Sequence, residues 1–256
     1  MDKAKIRLYV DQALGTGQAV ALNADQANYL FNVMRLAPGA VLLLFNGRDG
    51  EWRATVAEAG KRSGILICDR QTAPLRLPPD LWLIFAPLKK ARTDFIVEKA
   101  VELGAARIVP VQTRHTNSER FRQDRLQAHA TEAAEQCGAT VVPEVADLVP
   151  LAKLLNSLPA DRKLLWCDET MVGQAPTVQA PTLQGPTLQA PILQGPRGQP
   201  WAILIGPEGG FSAEEQTRLR ALPQVVPLAL GPRILRADTA AVAALTLWQA
   251  ALGDWT

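Results

Sequence analysis

The chain has 256 residues, 48% of them apolar, with 27 Lys and Arg against 25 Asp and Glu for a net charge of +2. That is ample apolar material for one large core or two ordinary ones, and too little charge to imply a nucleic-acid partner by itself. Three widely spaced cysteines (Cys68, Cys137, Cys167) and only two histidines form no metal-ligand pattern, so neither a metal nor a disulfide framework is expected.

The first seven residues lack the apolar centre of a signal peptide, and no run approaches the roughly 18 apolar residues of a membrane span. The expectation is a cytoplasmic protein with no membrane partner. From residue 6 to about 72 the chain reads as β. Ile6–Val10 predicts a first strand, and residues 26–34 a short helical turn. Pro38-Gly39 signals a type II turn, and Asn46-Gly47-Arg48-Asp49-Gly50 joins strands over 40–45 and 52–56. A further strand follows at 64–68. Short strands with turn signals at close spacing predict a small antiparallel barrel over residues 1–73. The proline-rich stretch 74–80 reads as a linker.

From Leu81 the period changes. Leu81–Ala86 predicts a buried strand. Thr93 opens a helix with Phe95, Ile96, Lys99, Ala100 and Leu103 on one side, ended by Gly104. A strand at 107–111, a helix over 120–136 and a strand at 164–167 come next. Strand and helix alternate to the end, which predicts an α/β domain over 81–256 with a mostly parallel sheet. Residues 174–199 interrupt it with a five-residue repeat, QAPTV, QAPTL, QGPTL, QAPIL, QGPRG, read as a proline-rich, low-complexity surface insertion.

Chemistry concentrates in two turns. Trp201-Ala-Ile-Leu-Ile205 predicts a strand buried on both faces, running into Gly206-Pro207-Glu208-Gly209-Gly210-Phe211. Ser212-Ala-Glu-Glu215 has capping-box spacing and starts a helix. The pattern repeats with a strand over 225–230, a turn Gly231-Pro232-Arg233-Ile234-Leu235-Arg236, and an apolar helix after an Asp238-Thr239 cap. Glycines at 206, 209 and 210 let a ligand approach the backbone closely. The turn is neither GxGxxG with a following acid nor a Walker sequence, so dinucleotide and triphosphate binding are poorly supported. Arg233 and Arg236 bring positive charge beside two apolar residues; the competing reading pairs one of them with Asp238 or another carboxylate.

IGPEGGFSxEE followed by LGPRILRADTA resembles the SPOUT methyltransferases, and within them the RsmE group, which methylates N3 of a uridine in 16S ribosomal RNA. Arg7-Leu-Tyr-Val10, Asn28 to Leu36 and Leu44-Phe-Asn-Gly47 resemble that group's PUA-like RNA-binding domain. Pro87-Leu-Lys-Lys90, Glu98 to Gly104 and Ala133 to Gly138 match its further signatures. The chain departs from the pattern at Asn28, where histidine is common, at Ala139, where a basic residue is common, and at Asp238, where glutamate is common.

The resemblance implies a C-terminal trefoil-knot domain whose last helix, from about Asp238, is threaded through an earlier loop. It implies a homodimer acting on 16S rRNA or the small ribosomal subunit with S-adenosyl-L-methionine as cofactor. By that analogy Leu204, Gly206, Pro207, Glu208, Gly209, Gly210, Leu230, Gly231, Ile234 and Leu235 hold the cofactor. Arg236, or Arg233, stabilises negative charge on the uracil, and no general base is identifiable, Glu208 and Asp238 being candidates with a structural reading beside it. Nine Lys and Arg lie between Lys89 and Arg125 against five acidic residues. From these and the small domain, Arg7, Arg35, Lys89, Lys90, Arg92 and Arg114 are the expected RNA contacts. Ribose 2′-O methylation and a non-catalytic role in ribosome assembly are the alternatives.

Overall fold

The computed structural model describes residues 6–117, 121–171 and 198–255. Most of the five-residue repeat, and Arg120, therefore lie outside the described residues. Contacts divide the chain into two units, Met1–Leu77 with Ala134–Val142, and Pro78–Ala133 with Pro143–Thr256.

The first unit contains β1 (Arg7–Tyr9), β2 (Ala19–Leu22), α1 (Ala24–Ala27) running into a π-helical turn over Asn28–Val33, β3 (Val41–Phe45), β4 (Glu51–Ala59) and β5 (Gly64–Ala73). These strands form one sheet in the order β1-β3-β4-β5-β2. β2, β3, β4 and β5 pair antiparallel as expected, but β1 runs parallel to β3. The long stretch through β2 and α1 supplies the crossover that a parallel pair requires. Register shifts along β4 and β5 bend the pair. Alternation sends Leu42, Leu44, Ala54, Val56 and Leu66 into a core shared with Leu8, Val10 and Leu30. Asn23 and Gln26 close a capping box at α1.

Arg7 belongs to this framework. Its guanidinium lies 4.5 Å over the Phe45 ring and donates to Glu51 at 2.7 Å and to the carbonyls of Ala134 and Ala139 at 2.6 and 2.7 Å. These bonds leave it little capacity for the phosphate contact expected of it.

The second unit runs β6 (Leu81–Phe85), α2 (Lys90–Glu102), β7 (Arg107–Gln112), α3 (Gln123–Cys137, its last residues grouped with the first unit), β8 (Glu144–Val145), β9 (Val149–Pro150), α4 (Leu151–Ser157), β10 (Lys163–Cys167), β11 (Trp201–Ile205), α5 (Ala213–Arg220), β12 (Val225–Leu228) and α6 (Ala237–Leu252). Its sheet has the order β12-β10-β11-β6-β7-β8, with β9 also on β7, and every pair is parallel. β11 lies between β10 and β6 and is buried at all five positions, which explains its uninterrupted apolar run. The chain crosses from β11 over β10 to the edge strand β12, then returns through α6 to pack on β11 and α2. A threaded last helix requires such a return.

α2 begins three residues before the expected Thr93; of the expected stripe Ile96 and Ala100 are buried, together with Thr93, Val97 and Val101, whereas Phe95, Lys99 and Leu103 are not. The buried Thr93 hydroxyl holds the start, accepting the Leu88 N–H at 2.9 Å and donating to the Leu88 carbonyl at 3.0 Å. At the other end Gly104 takes φ of 73°, and the fully buried Gln249 of α6 donates to the Leu103 carbonyl at 2.6 Å. Among the described residues no helix is long and apolar enough to cross a membrane, and the three cysteines are free thiols.

Candidate active site

β11 ends at Ile205 and the glycine turn leads into α5. The predicted capping box forms: Ser212 accepts the Glu215 N–H at 3.3 Å, and the Glu215 carboxylate accepts the Ser212 N–H at 2.8 Å. The other Glu215 oxygen accepts the Arg114 N–H at 2.8 Å, fixing the loop after β7 beside the turn. From that loop His115 places Nδ1 3.1 Å from the carbonyl oxygens of both Gly209 and Gly210. Both partners are acceptors, so Nδ1 carries the proton. Gly210 has φ of 68°, and a Cβ there would stand 1.8 Å from the Glu169 Oε1. The left-handed backbone demands glycine, and a Cβ would in addition force the Glu169 carboxylate to move. Desolvation pushes the Glu169 carboxyl above its ordinary range, against the pull of the Phe211 N–H that it accepts.

A cavity of about 480 Å³ opens between this turn and the one after β12. Gly206, Pro207, Glu208, Gly209 and Gly210 line it from the first turn; Leu230, Gly231, Ile234 and Leu235 line it from the second. Leu204 does not: as a fully buried β11 residue it packs in the sheet core with Trp166 and Phe211. Cys167, Asp168 and Glu169, at the end of β10, also border the cavity. They escaped the sequence reading because nothing marks that strand end as different from any other. Cys167 is buried, and desolvation pushes its thiol up to about 12.

Arg233 and Arg236 border the same cavity. Both are exposed, and among the described residues neither side chain has a hydrogen-bond or ion-pair partner. The competing reading, in which one of them pairs with Asp238, is therefore not what the molecule does. Asp238 is taken by Arg92, whose Nε and Nη2 donate to its two carboxylate oxygens at 2.8 and 3.0 Å. Arg92 Nη1 meets Glu208 as well. The hydrogen bond from Arg92 is the main cause holding the Asp238 carboxyl below its ordinary range. Nor is Asp238 the cap of α6. Arg236 holds the N-cap position without a side-chain bond, and Asp238 sits in the first turn.

The profile of the RNA methyltransferase domain matches residues 75–249, and that of the RNA methyltransferase PUA domain matches residues 22–67. The chain belongs to the RNA methyltransferase family. The ribosomal RNA small subunit methyltransferase E of Rickettsia conorii is 26% identical over 240 residues, 93% of each chain. A solved ribosomal RNA small subunit methyltransferase E from Neisseria gonorrhoeae, bound to S-adenosyl methionine, has a TM-score of 0.82 at 26% identity, covering 98% of this chain and 99% of its own. A methyltransferase from Legionella pneumophila, solved with the same cofactor, has a TM-score of 0.81 at 28% identity, covering 99% of this chain and all of its own. The fold class and the family drawn from the sequence are those found.

In this RNA methyltransferase the basic run after β6 is largely paired. Lys99 meets Glu102, Arg107 meets Glu144, Arg122 meets Asp124 and Arg125 meets Asp94. Arg92, expected on RNA, is engaged by two carboxylates instead. Of the expected RNA contacts, Arg35, Lys89, Lys90 and Arg114 are exposed, with no ion-pair partner among the described residues. Lys89 and Lys90 stand at the start of α2, whose first turn holds no acidic residue. Cations there oppose the helix dipole, so local stability is not what places them.

Proposed function

We propose that this chain is an S-adenosylmethionine-dependent methyltransferase acting on N3 of a uridine in 16S ribosomal RNA. The observation that carries the reading is the cavity between the two turns, with two unpaired arginines on its border. Its size suits a nucleoside-sized ligand. Apolar walls from Ile205, Leu228, Leu230 and Leu235 and the bare backbone of the glycine turn fit an adenosyl group. A Cβ at Gly206 would come within 2.7 Å of the Phe211 ring, so the turn stays open only as glycine.

When bound, the cofactor supplies an electrophilic methyl group. The residues around it must then favour loss of the N3 proton of uracil, a weak acid near neutral pH. Arg236, with Arg233 beside it, presents unpaired positive charge where negative charge builds on the uracil oxygens. Asp238 is a poor candidate for the base, because the hydrogen bond from Arg92 holds its carboxyl below the ordinary range, and the Glu208 carboxylate is engaged by the same guanidinium. Arg35, Lys89, Lys90 and Arg114 would track RNA phosphates. A target within a duplex would have to be flipped out. The resemblance adds a cytoplasmic homodimer with active sites at the subunit interface, and the Ile234 side chain, 78% exposed beside the cavity, is apolar surface that a second copy would cover.

The test is mass spectrometry of 16S rRNA from a strain lacking the gene, complemented with wild type or with Arg236→Ala. Wild type restores N3-methyluridine. Arg236→Ala restores less than about a hundredth as fast, the scale of losing one charge-stabilising donor, while cofactor affinity measured by calorimetry changes little. N3-methyluridine at normal levels in the deletion strain would refute the substrate. Full turnover by Arg236→Ala would refute its role.

A further inference from the structure

We infer that Arg92 is a positioning residue that straps the two turns of the pocket together through Glu208 and Asp238. The inference rests on reading the cavity as the cofactor pocket. Arg92 does not line the cavity. Its two partners sit inside the pocket-forming segments: Glu208 between Pro207 and Gly209, and Asp238 directly after Ala237, which also lines the cavity. One side chain thus reaches both turns, which are separated in sequence by the whole of α5 and β12.

The geometry is that of a built tie. Arg92 is itself fixed, since it lies beside Thr93, whose buried hydroxyl anchors the start of α2 to Leu88. It grips Asp238 through two parallel bonds, the bidentate form that lysine cannot make. Far from the cavity α2 and α6 are joined a second time, by Gln249 to the Leu103 carbonyl. Asp238 precedes Gln249 by the same number of residues as Arg92 precedes Leu103. The two helices therefore run side by side in the same direction, tied at both ends, with the pocket end secured by Arg92. The tie also has an electrostatic effect. It occupies Asp238, the carboxylate closest in sequence to both arginines, and Glu208, which lines the same cavity, so neither Arg233 nor Arg236 is drawn onto them and away from a substrate.

Two readouts test this. The first is hydrogen exchange of the ligand-free protein at Gly210, whose N–H bonds the Pro207 carbonyl at 3.0 Å, and at Ala240, whose N–H bonds the Arg236 carbonyl at 2.8 Å. Arg92→Ala accelerates exchange at both amides. Glu208→Gln accelerates it chiefly at Gly210 and Asp238→Asn chiefly at Ala240. The second readout is calorimetric titration with S-adenosylmethionine. Arg92→Ala weakens binding about tenfold to a hundredfold, the range found where a supporting residue orients a site, and Arg92→Lys recovers part of it. In the Glu208→Gln/Asp238→Asn background, removing Arg92 costs almost nothing more.

The strap is overturned if Arg92→Ala leaves both amides and the affinity as in wild type. It is also overturned if its effect is undiminished in the double-carboxylate background. If Arg92→Ala does not fold, Glu208→Gln and Asp238→Asn carry the exchange test between them. A wild-type protein that binds no S-adenosylmethionine would refute the cofactor reading, and the exchange readout alone would then decide on the strap.

Discussion

At the scale of single residues, the pocket depends most on Gly210. Gly209 has an ordinary backbone, and a Cβ there would meet His115 at 3.2 Å, a contact that small shifts relieve. Gly210 combines a left-handed backbone with a Glu169 oxygen where the Cβ would go. Gly210→Ala should therefore lower cofactor affinity by at least about tenfold, equal to 1.4 kcal/mol, and by more than Gly209→Ala, as calorimetry on the pair can check. The sequence showed these glycines without separating Gly209 from Gly210, because the neighbours that do so, His115 and Glu169, come from distant segments. Cysteine chemistry is equally local. Cys137 is exposed, whereas Cys68 and Cys167 are buried with thiols raised by desolvation. A maleimide should label Cys137 alone in the folded protein and all three cysteines in denaturant, as peptide mass spectrometry can show.

At the scale of elements, apolar pattern and capping were legible: β11 is buried as its run predicted, and α5 starts at its box. α2 was misread at its edge because Lys90, Ala91 and Arg92 carry no start signal, and the actual anchor is a threonine hydroxyl reaching backward. β8 and β9 were missed because two-residue strands leave no period to read. The pairing of Arg92 with Asp238 was out of reach for a plainer reason: the partners are 146 positions apart and no local rule joins them. That pair predicts a pH dependence. The Asp238 carboxyl is held below its ordinary value of 3.8, so the folded chain binds the proton less readily than the unfolded one. The stabilisation is complete above the unfolded value and is lost as pH falls through the lower folded one. Urea midpoints measured near neutrality and in acid below about pH 3 should therefore fall further for wild type than for Asp238→Asn.

At the scale of the whole molecule, alternating strands and helices announced the parallel sheet, and clustered turns announced the β-rich leader. The contact division was not legible, because Ala134–Val142 groups with the N-terminal residues. Arg7 shows why. It donates to the carbonyls of Ala134 and Glu135 at the end of α3 and to that of Ala139, groups a helix terminus leaves without partners. Arg7→Ala should lower the stability of the full chain by about 2–3 kcal/mol, because it strands those carbonyls and the Glu51 carboxylate. Urea unfolding gives the value, and a loss below about 0.5 kcal/mol would assign that stability elsewhere. The rims of the parallel sheet have a consequence for association. One outer strand, β12, carries Pro227, which has no N–H to offer, while β8 and β9 on the far side have two residues each and β9 ends in Pro150. Among the described residues a foreign strand thus finds no continuous row of free backbone groups to zip onto at these rims. This α/β sheet opposes strand-by-strand growth at its borders, which leaves side-chain surfaces as its route to ordered assembly.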